Sequence, residues 1–397
     1  MTDYRYLIVG GGMTAAAAAD GIREVDRDGS IGAVTSESHP PYDRPPLSKG
    51  LWKGKALETI WRKTDLPGLT IHQGRRIERI DLKAKQASDD RGAVYRFEKL
   101  LFATGGTPRR LPFGGEEVIY FRTLDDYRRL RGLAERGRKF AVVGGGFIGS
   151  EVAAALALND RKVALIMPGE TIGGRLFPAD LGRFLNDYYR EKGVEVLPGE
   201  SAAGLESRSG RFVLRTRRSG AAEGREIEVD GVVAGIGIEP QVALARAAGL
   251  KVEDGIRVDR SLRTDSPDVF AAGDAAEFFN PALGKWLRVE HEDNANTMGK
   301  LAGRAMAGAE VSYDHLPFFY SDLFDLGYEA VGEIDARLAT FSDWKQPFRE
   351  GVMYYLRDQR VRGVLLWNVW GKVDDARRLI SEPGPFRPED LRGRITG

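Results

Sequence analysis

Apolar residues fall along the chain in short runs punctuated by glycine, and two of these runs are alike. Tyr4-Arg5-Tyr6-Leu7-Ile8-Val9 predicts a strand, Gly10-Gly11-Gly12-Met13-Thr14-Ala15 a turn, and the alanine-rich stretch from Ala16 onward a helix. The order returns from Lys139: a strand Lys139-Phe140-Ala141-Val142-Val143, then Gly144-Gly145-Gly146-Phe147-Ile148-Gly149, then a helical stretch from Ser150 to Leu158. Each copy is followed by a second apolar run, Ile31 to Val34 and Lys162 to Met167, that predicts another strand. Near the C-terminus, Gly351 to Leu356 and Val361 to Val369 read as strands around an Asp358-Gln359 turn. Val373 to Ile380 reads as a short helix, and the Pro- and Gly-bearing tail from Glu382 as irregular.

A length of 397 residues predicts about two to three domains. With 59 Lys plus Arg against 58 Asp plus Glu, the chain lacks the positive field on which nonspecific nucleic-acid or membrane-surface binding rests. Arginine pairs such as Arg109-Arg110 and Arg377-Arg378 read as solvated faces. The chain has no Cys, which removes disulfides, thiolate metal sites and cysteine nucleophiles together. His39, His72, His291 and His315 show no metal-ligand spacing, so no metal is expected. No run of 18 apolar residues appears. The first strand begins almost at Met1, leaving no room for a leader; a cytoplasmic protein is expected.

The repeated device is G-x-G-x-x-G/A between a strand and a helix, the context in which that pattern binds a dinucleotide. Gly10 and Gly144 allow the tight turn, and Gly12 and Gly146 let backbone approach a pyrophosphate. Ala15 and Gly149 are small enough for helix–strand packing. The helix start then offers unpaired N–H groups and a positive dipole end to the phosphates. An acidic residue about 20 positions on holds a ribose hydroxyl. Glu37 fits for the first copy and Glu170 for the second. No Arg or Lys stands between Pro168 and Gly174 to clamp a 2′-phosphate, which favours NADH over NADPH; the competing reading makes Glu170 an ordinary loop acid. Two dinucleotide sites in one chain point to a flavin dinucleotide and a nicotinamide dinucleotide that exchange a hydride.

Four further segments are more specific. Pro40-Pro41-Tyr42-Asp43-Arg44-Pro45-Pro46-Leu47-Ser48-Lys49 resembles the flavin-contacting loop of putidaredoxin-reductase-type flavoproteins. Ala103-Thr104-Gly105 resembles their ATG segment, and Gly235-Ile236-Gly237-Ile238-Glu239-Pro240 the return to the flavin lobe. Val269-Phe270-Ala271-Ala272-Gly273-Asp274-Ala275 is similar to their second flavin motif. Within that superfamily the chain resembles apoptosis-inducing factor and its bacterial relatives through Arg288-Val289-Glu290-His291-Glu292-Asp293, Tyr320-Ser321-Asp322-Leu323, Gly327 to Gly332 and Val364 to Asn368. The absent cysteines separate it from disulfide reductases of similar layout.

The resemblance implies an α/β fold of two Rossmann-like dinucleotide-binding domains plus a C-terminal α+β domain. The FAD domain would be split, 1–113 and 239–313, around an NAD(H) domain at 114–238, with the C-terminal domain at 314–397. It implies that Lys49 sits beside the flavin with Glu151 as its partner, and that Phe147 shields the flavin face and moves as NADH enters. A helix beginning near Asp293 would add its positive end beside the flavin. The same carry-over gives Arg44, Ala103, Thr104, Gly105, Gly237, Asp274, Glu290, His291, Tyr320 and Ile148 contacts to one cofactor or the other. Competing readings make Lys49 a solvated loop lysine, Glu151 an exposed helix-start acid and Phe147 a packing residue. The family usually has Trp where Tyr320 stands, which shrinks a stacking face.

Two function classes follow. One is an NADH-dependent FAD-containing oxidoreductase, passing hydride from NADH to flavin N5 and electrons to a ferredoxin- or rubredoxin-like carrier, a quinone or another small acceptor. The other is a redox-sensing protein in which reduction of FAD controls dimerisation or partner binding, with slow turnover. A monomer or a homodimer suits both.

Overall fold

The computed structural model describes residues 1–218, 220 and 224–396. The chain gathers into two compact units. The first comprises Met1–Asp43, Leu57–Thr107 and Glu239–Phe319; the second comprises Arg44–Ala56, Pro108–Ile238 and Tyr320–Gly397.

The first unit is built on a parallel sheet in the order Leu69–His72, Ile31–Val34, Thr2–Val9, Val94–Phe102 and Val269–Ala271. Tyr6 to Val9 are all buried, as expected where helices cover both faces of a parallel sheet. The edge of the long strand Val94–Phe102 away from Thr2–Val9 is shared between two partners. Its beginning pairs antiparallel with Gln86–Asp89, which extends to Ile77–Asp81, and its end pairs parallel with Val269–Ala271. Helix Met13–Val25 follows the first strand and packs against helix Glu292–Met306. That pairing is backbone to backbone. A methyl group added at Gly299 would stand 2.5 Å from the Thr14 carbonyl oxygen, and one at Gly303 would collide with the Ala18 carbonyl. Small residues on both helices are what admit such an approach.

The second unit contains the second parallel sheet, in the order Val194–Pro198, Lys162–Met167, Lys139–Val143, Gly231–Ala234 and Val118–Tyr120. Its leading strand is again flanked by the next strand in sequence on one side and by a later strand on the other, so the sequence repeat is also a repeat of sheet topology. A three-stranded antiparallel sheet, Glu200–Arg208, Arg211–Arg218 and Arg225–Val229, adjoins it. A further five-stranded sheet runs Phe318–Leu323, Leu326–Gly332, Arg360–Trp367, Glu350–Arg357, Ala339–Gln346. Asp358 and Gln359 close its central hairpin with φ of 51° and 58°, the doubly positive conformation of a two-residue hairpin turn. Helix Val373–Ser381 packs on this sheet.

Two expectations shift. Both fingerprint helices start three residues before the alanine-rich runs, at Met13 and Phe147, because Gly12 and Gly146 are themselves the capping residues. The tail is not wholly irregular. Pro388–Leu391 forms a helical turn with Pro at its first position, and Leu391 and Ile395 are buried, so the tail docks through two apolar anchors. Among the described residues no helix is long and apolar enough to cross a membrane.

Candidate functional site

The two glycine turns share their backbone hydrogen bonds. Gly10 N–H donates to Val34 O at 2.9 Å, and Gly144 N–H to Ile166 O at 2.8 Å. The Ala103 N–H donates to Val9 O at 2.9 Å, and the Gly235 N–H to Val143 O at 2.8 Å. Gly10 has φ of 133° and Gly144 of 113°, a region that L side chains rarely adopt. A side chain on either would strike the carbonyl at the end of the neighbouring strand, Ala103 in one copy and Gly235 in the other. Gly12 and Gly146 cap their helices from nearly identical extended conformations, φ −89° and −86°, with no side chain supplying an acceptor to the first turn. The helix starts therefore present amide donors that a phosphate can satisfy. A Cβ on Gly146 would meet nothing within 4 Å, so the space before this turn is open. The third positions differ. Ala15 is buried and tolerated, whereas a methyl on Gly149 would collide with the Gly144 carbonyl.

The two acids occupy the same place in each copy, just beyond the second strand: Glu37 after Ile31–Val34, Glu170 after Lys162–Met167. Glu37 accepts the Tyr42 hydroxyl at 2.6 Å. Glu170 is exposed, and its backbone carbonyl is held by Asn186 Nδ2 at 2.8 Å. Ile148, on the first turn of the second helix, is one of the few large apolar side chains left exposed.

In the first unit, Ala103 follows directly on strand Val94–Phe102, and Thr104 Oγ1 donates to Gln241 O at 2.6 Å. Gly105 has φ of 67° and its carbonyl receives the Gln241 N–H at 2.9 Å. Asp274 lies in the single turn Gly273–Ala275, and a Cβ on Gly273 would strike Thr14 Oγ1 in the first fingerprint. The structure thus brings the ATG segment and the second flavin motif onto the first glycine turn. Glu290 pairs with Arg288 at 2.5 Å. His291 caps helix Glu292–Met306 and stacks on Phe319, with ring centroids 4.4 Å apart and planes 16° apart.

In the second unit, Lys49, Glu151 and Tyr320 come together. Lys49 Nζ is 2.7 Å from Glu151 Oε1 and 5.2 Å from the Tyr320 ring centroid. Glu151 is not the exposed helix-start acid of the competing reading; its side chain is 2% exposed and that of Lys49 12%. Ser48 Oγ donates to Glu151 Oε2 and Ser321 Oγ to Oε1, each at 2.6 Å. Burial, and then the charge of Glu151, push the Tyr189 and Tyr328 hydroxyls well above the ordinary tyrosine range, so both stay protonated beside the carboxylate. Phe147 is half-buried at the start of the same helix. Gly237 has φ of 98° and its carbonyl accepts the Arg109 N–H at 2.9 Å. Arg44 Nη1 donates to the Arg122 carbonyl at 3.0 Å. Sequence reasoning quoted Ser48 and Ser321 within motifs but gave them no role; only the fold shows that they converge on Glu151.

Comparison with known proteins identifies the family. A family model described as pyridine nucleotide-disulphide oxidoreductase matches residues 4–299. A second, described as apoptosis-inducing factor, mitochondrion-associated, C-term, matches 302–347 and 342–382. Apoptosis-inducing factor 1, mitochondrial, of Dictyostelium discoideum is 33% identical over 95% of this chain and 78% of its own length. The ferredoxin–NAD(+) reductase component of an anthranilate 1,2-dioxygenase system of Burkholderia cepacia is 33% identical over 99% of this chain and 98% of its own. Among solved structures, the crystal structure of a covalent putidaredoxin reductase–putidaredoxin complex superposes with a TM-score of 0.89. It is 27% identical and covers 98% of this chain and 96% of that one. The resemblance and the α/β fold read from the motifs are borne out. The glycine turns, with no side-chain cap at their helix starts and no room for a Cβ at Gly10 or Gly144, fit the FAD and NAD(H) on which this family depends. The chain is an oxidoreductase that belongs to the pyridine nucleotide-disulphide oxidoreductase family, and it is ferredoxin-reductase-like within it.

Proposed function

We propose that the protein is an NADH-dependent, FAD-containing reductase that delivers electrons to a ferredoxin-type carrier. FAD, when bound, supplies the chemistry: it takes a hydride from NADH at N5 and releases the electrons singly. The observation that carries the reading is the pair of matching glycine turns in one chain, one for each dinucleotide. Gly10, Gly12 and Ala15, with Glu37, Arg44, Ala103, Thr104, Gly105 and Asp274, serve the FAD. Gly144, Gly146, Ile148 and Gly149, with Glu170 and Gly237, serve the NADH. Lys49 holds a positive charge for the negative one that a reduced flavin acquires, and Glu151 keeps that ammonium in place. Phe147 guards the approach to the flavin face, and Glu290, His291 and Tyr320 complete its surroundings. The three-domain division, 1–113 with 239–313, 114–238 and 314–397, belongs to this proposal. Pairing of Val269–Ala271 with Val94–Phe102 in one sheet supports a first domain split in sequence.

The Burkholderia relative's name and the putidaredoxin complex support a ferredoxin-type acceptor. The match of residues 302–382 to the C-terminal model of apoptosis-inducing factor favours a second reading, the redox sensor. A cytoplasmic location suits either. Steady-state NADH oxidation with ferredoxin, quinone and dye acceptors tests the proposal. Fast turnover with a [2Fe–2S] ferredoxin supports it; slow turnover with every acceptor, joined to an NADH-dependent change in molecular size, overturns it in favour of the sensor.

A further inference from the structure

We propose that Ser48 and Ser321 are positioning residues that set where Lys49 carries its charge, by fixing both oxygens of the Glu151 carboxylate. The inference rests on the Lys49–Glu151 pair acting as described above, and extends it to two residues without an assigned role. Two dipeptides from distant parts of the chain do the same thing. Ser48-Lys49 gives a hydroxyl to Oε2 and the ammonium to Oε1; Tyr320-Ser321 gives a hydroxyl to Oε1 and an aromatic face to the ammonium. Neither Ser48, Ser321 nor Glu151 is more than 5% exposed, so water does not compete for these bonds.

A carboxylate offers about four lone-pair directions, and donors on both oxygens leave it one orientation. The ammonium must then approach Oε1 along what remains, between the carboxylate and the Tyr320 ring. Packing does not account for the hydroxyls. A buried hydroxyl is costly without a partner, and the other acceptor near Ser48, the Pro45 carbonyl, is 3.5 Å away against 2.6 Å for Glu151.

The test reads the lysine directly. FAD-loaded protein is acetylated with a water-soluble reagent and the extent of modification at Lys49 is measured by peptide mass, with exposed Lys55 as internal reference. The Ser48→Ala/Ser321→Ala double variant is expected to raise Lys49 labelling about fivefold relative to Lys55, the ratio that loss of a net hydrogen bond implies. Glu151→Ala sets the upper limit, and Ser48→Thr, which keeps a hydroxyl, should remain at the parent level. In stopped flow, the double variant should show a lower limiting rate of flavin reduction with the NADH concentration for half-saturation unchanged. Parent-level labelling in the double variant overturns the proposal, whatever the rate does. Raised labelling with undiminished reduction in both the double variant and Glu151→Ala upholds the serine assignment and instead removes the flavin role of the pair. If the double variant does not take up FAD, the two single alanine variants read the same labelling, each expected between the parent and Glu151→Ala.

Discussion

Lys49 and Glu151 form a nearly enclosed ion pair, 2.7 Å between Nζ and Oε1, in which the acid is held by two serines and the base by one aromatic face. Removing one partner of such a pair leaves a charge without compensation and commonly costs about 3–5 kcal/mol when burial is deep. Glu151→Ala should therefore keep its FAD, whose pyrophosphate is proposed to sit at Gly10 and Gly12, while flavin reduction by saturating NADH slows about tenfold or more, equivalent to at least about 1.4 kcal/mol of barrier. Stopped-flow reduction of the variant checks this; an unchanged limiting rate removes the pair from the reaction.

The two glycine turns should fail separately. Gly144→Ala forces a side chain onto φ of 113° and into the Gly235 carbonyl, so the purified variant should remain yellow yet need far more NADH to be reduced. Gly10→Ala does the same at φ of 133° against Ala103 and should yield protein with little flavin absorbance. Strain of this kind is about 1–3 kcal/mol before the clash is counted, enough for a tenfold loss of affinity. Visible spectra and NADH titrations separate the two, and the reverse pattern would exchange the cofactor assignments.

Nucleotide choice is expected to follow Glu170. On the proposed assignment its exposed carboxylate, beyond strand Lys162–Met167, would accept a ribose hydroxyl and repel a 2′-phosphate. The ratio of kcat/KM for NADH over NADPH should exceed one, and Glu170→Ala should lower that ratio about tenfold, roughly 1.4 kcal/mol. A ratio unmoved by the substitution would assign the discrimination to another residue.

Acid sensitivity has an identifiable contributor in Asp26. The Gly29 N–H at 2.9 Å and then the Tyr6 hydroxyl at 2.8 Å hold its carboxyl below the usual range. A folded-state value below the unfolded one stabilises the fold above about pH 4, and that stabilisation is lost as pH falls through the folded value. Asp26→Asn should thus be less stable than the parent by about 1 kcal/mol at pH 7, with the gap closing as the pH falls through the lowered folded value. A series of urea unfolding curves from pH 7 into the acid range measures it.

Local chemistry made much of this legible in advance. Ile31–Val34, Lys139–Val143 and Lys162–Met167 begin and end where their apolar runs do, since a strand buried on both faces must be apolar throughout. The glycine turns were legible because only glycine serves at their first positions. Helix starts were not, as Gly12 and Gly146 cap by conformation and offer no Ser, Thr or Asp to mark the boundary. Nor was the fit of Gly299 and Gly303 against Thr14 and Ala18 visible, or the convergence of Ser48 and Ser321 on Glu151, because each joins residues that only the folded chain makes neighbours.

Helix Phe147–Leu158 begins at the uncapped amides behind Gly146 and carries Glu151 in its second turn. A phosphate drawing on its first amides and an ammonium drawing on its carboxylate therefore pull on a single rod. On the proposed assignment the nucleotide and the lysine would share one short helix, and thermodynamic reciprocity would bind them: any effect of nucleotide binding on the charge at Lys49 would be matched by an equal effect of that charge on nucleotide affinity.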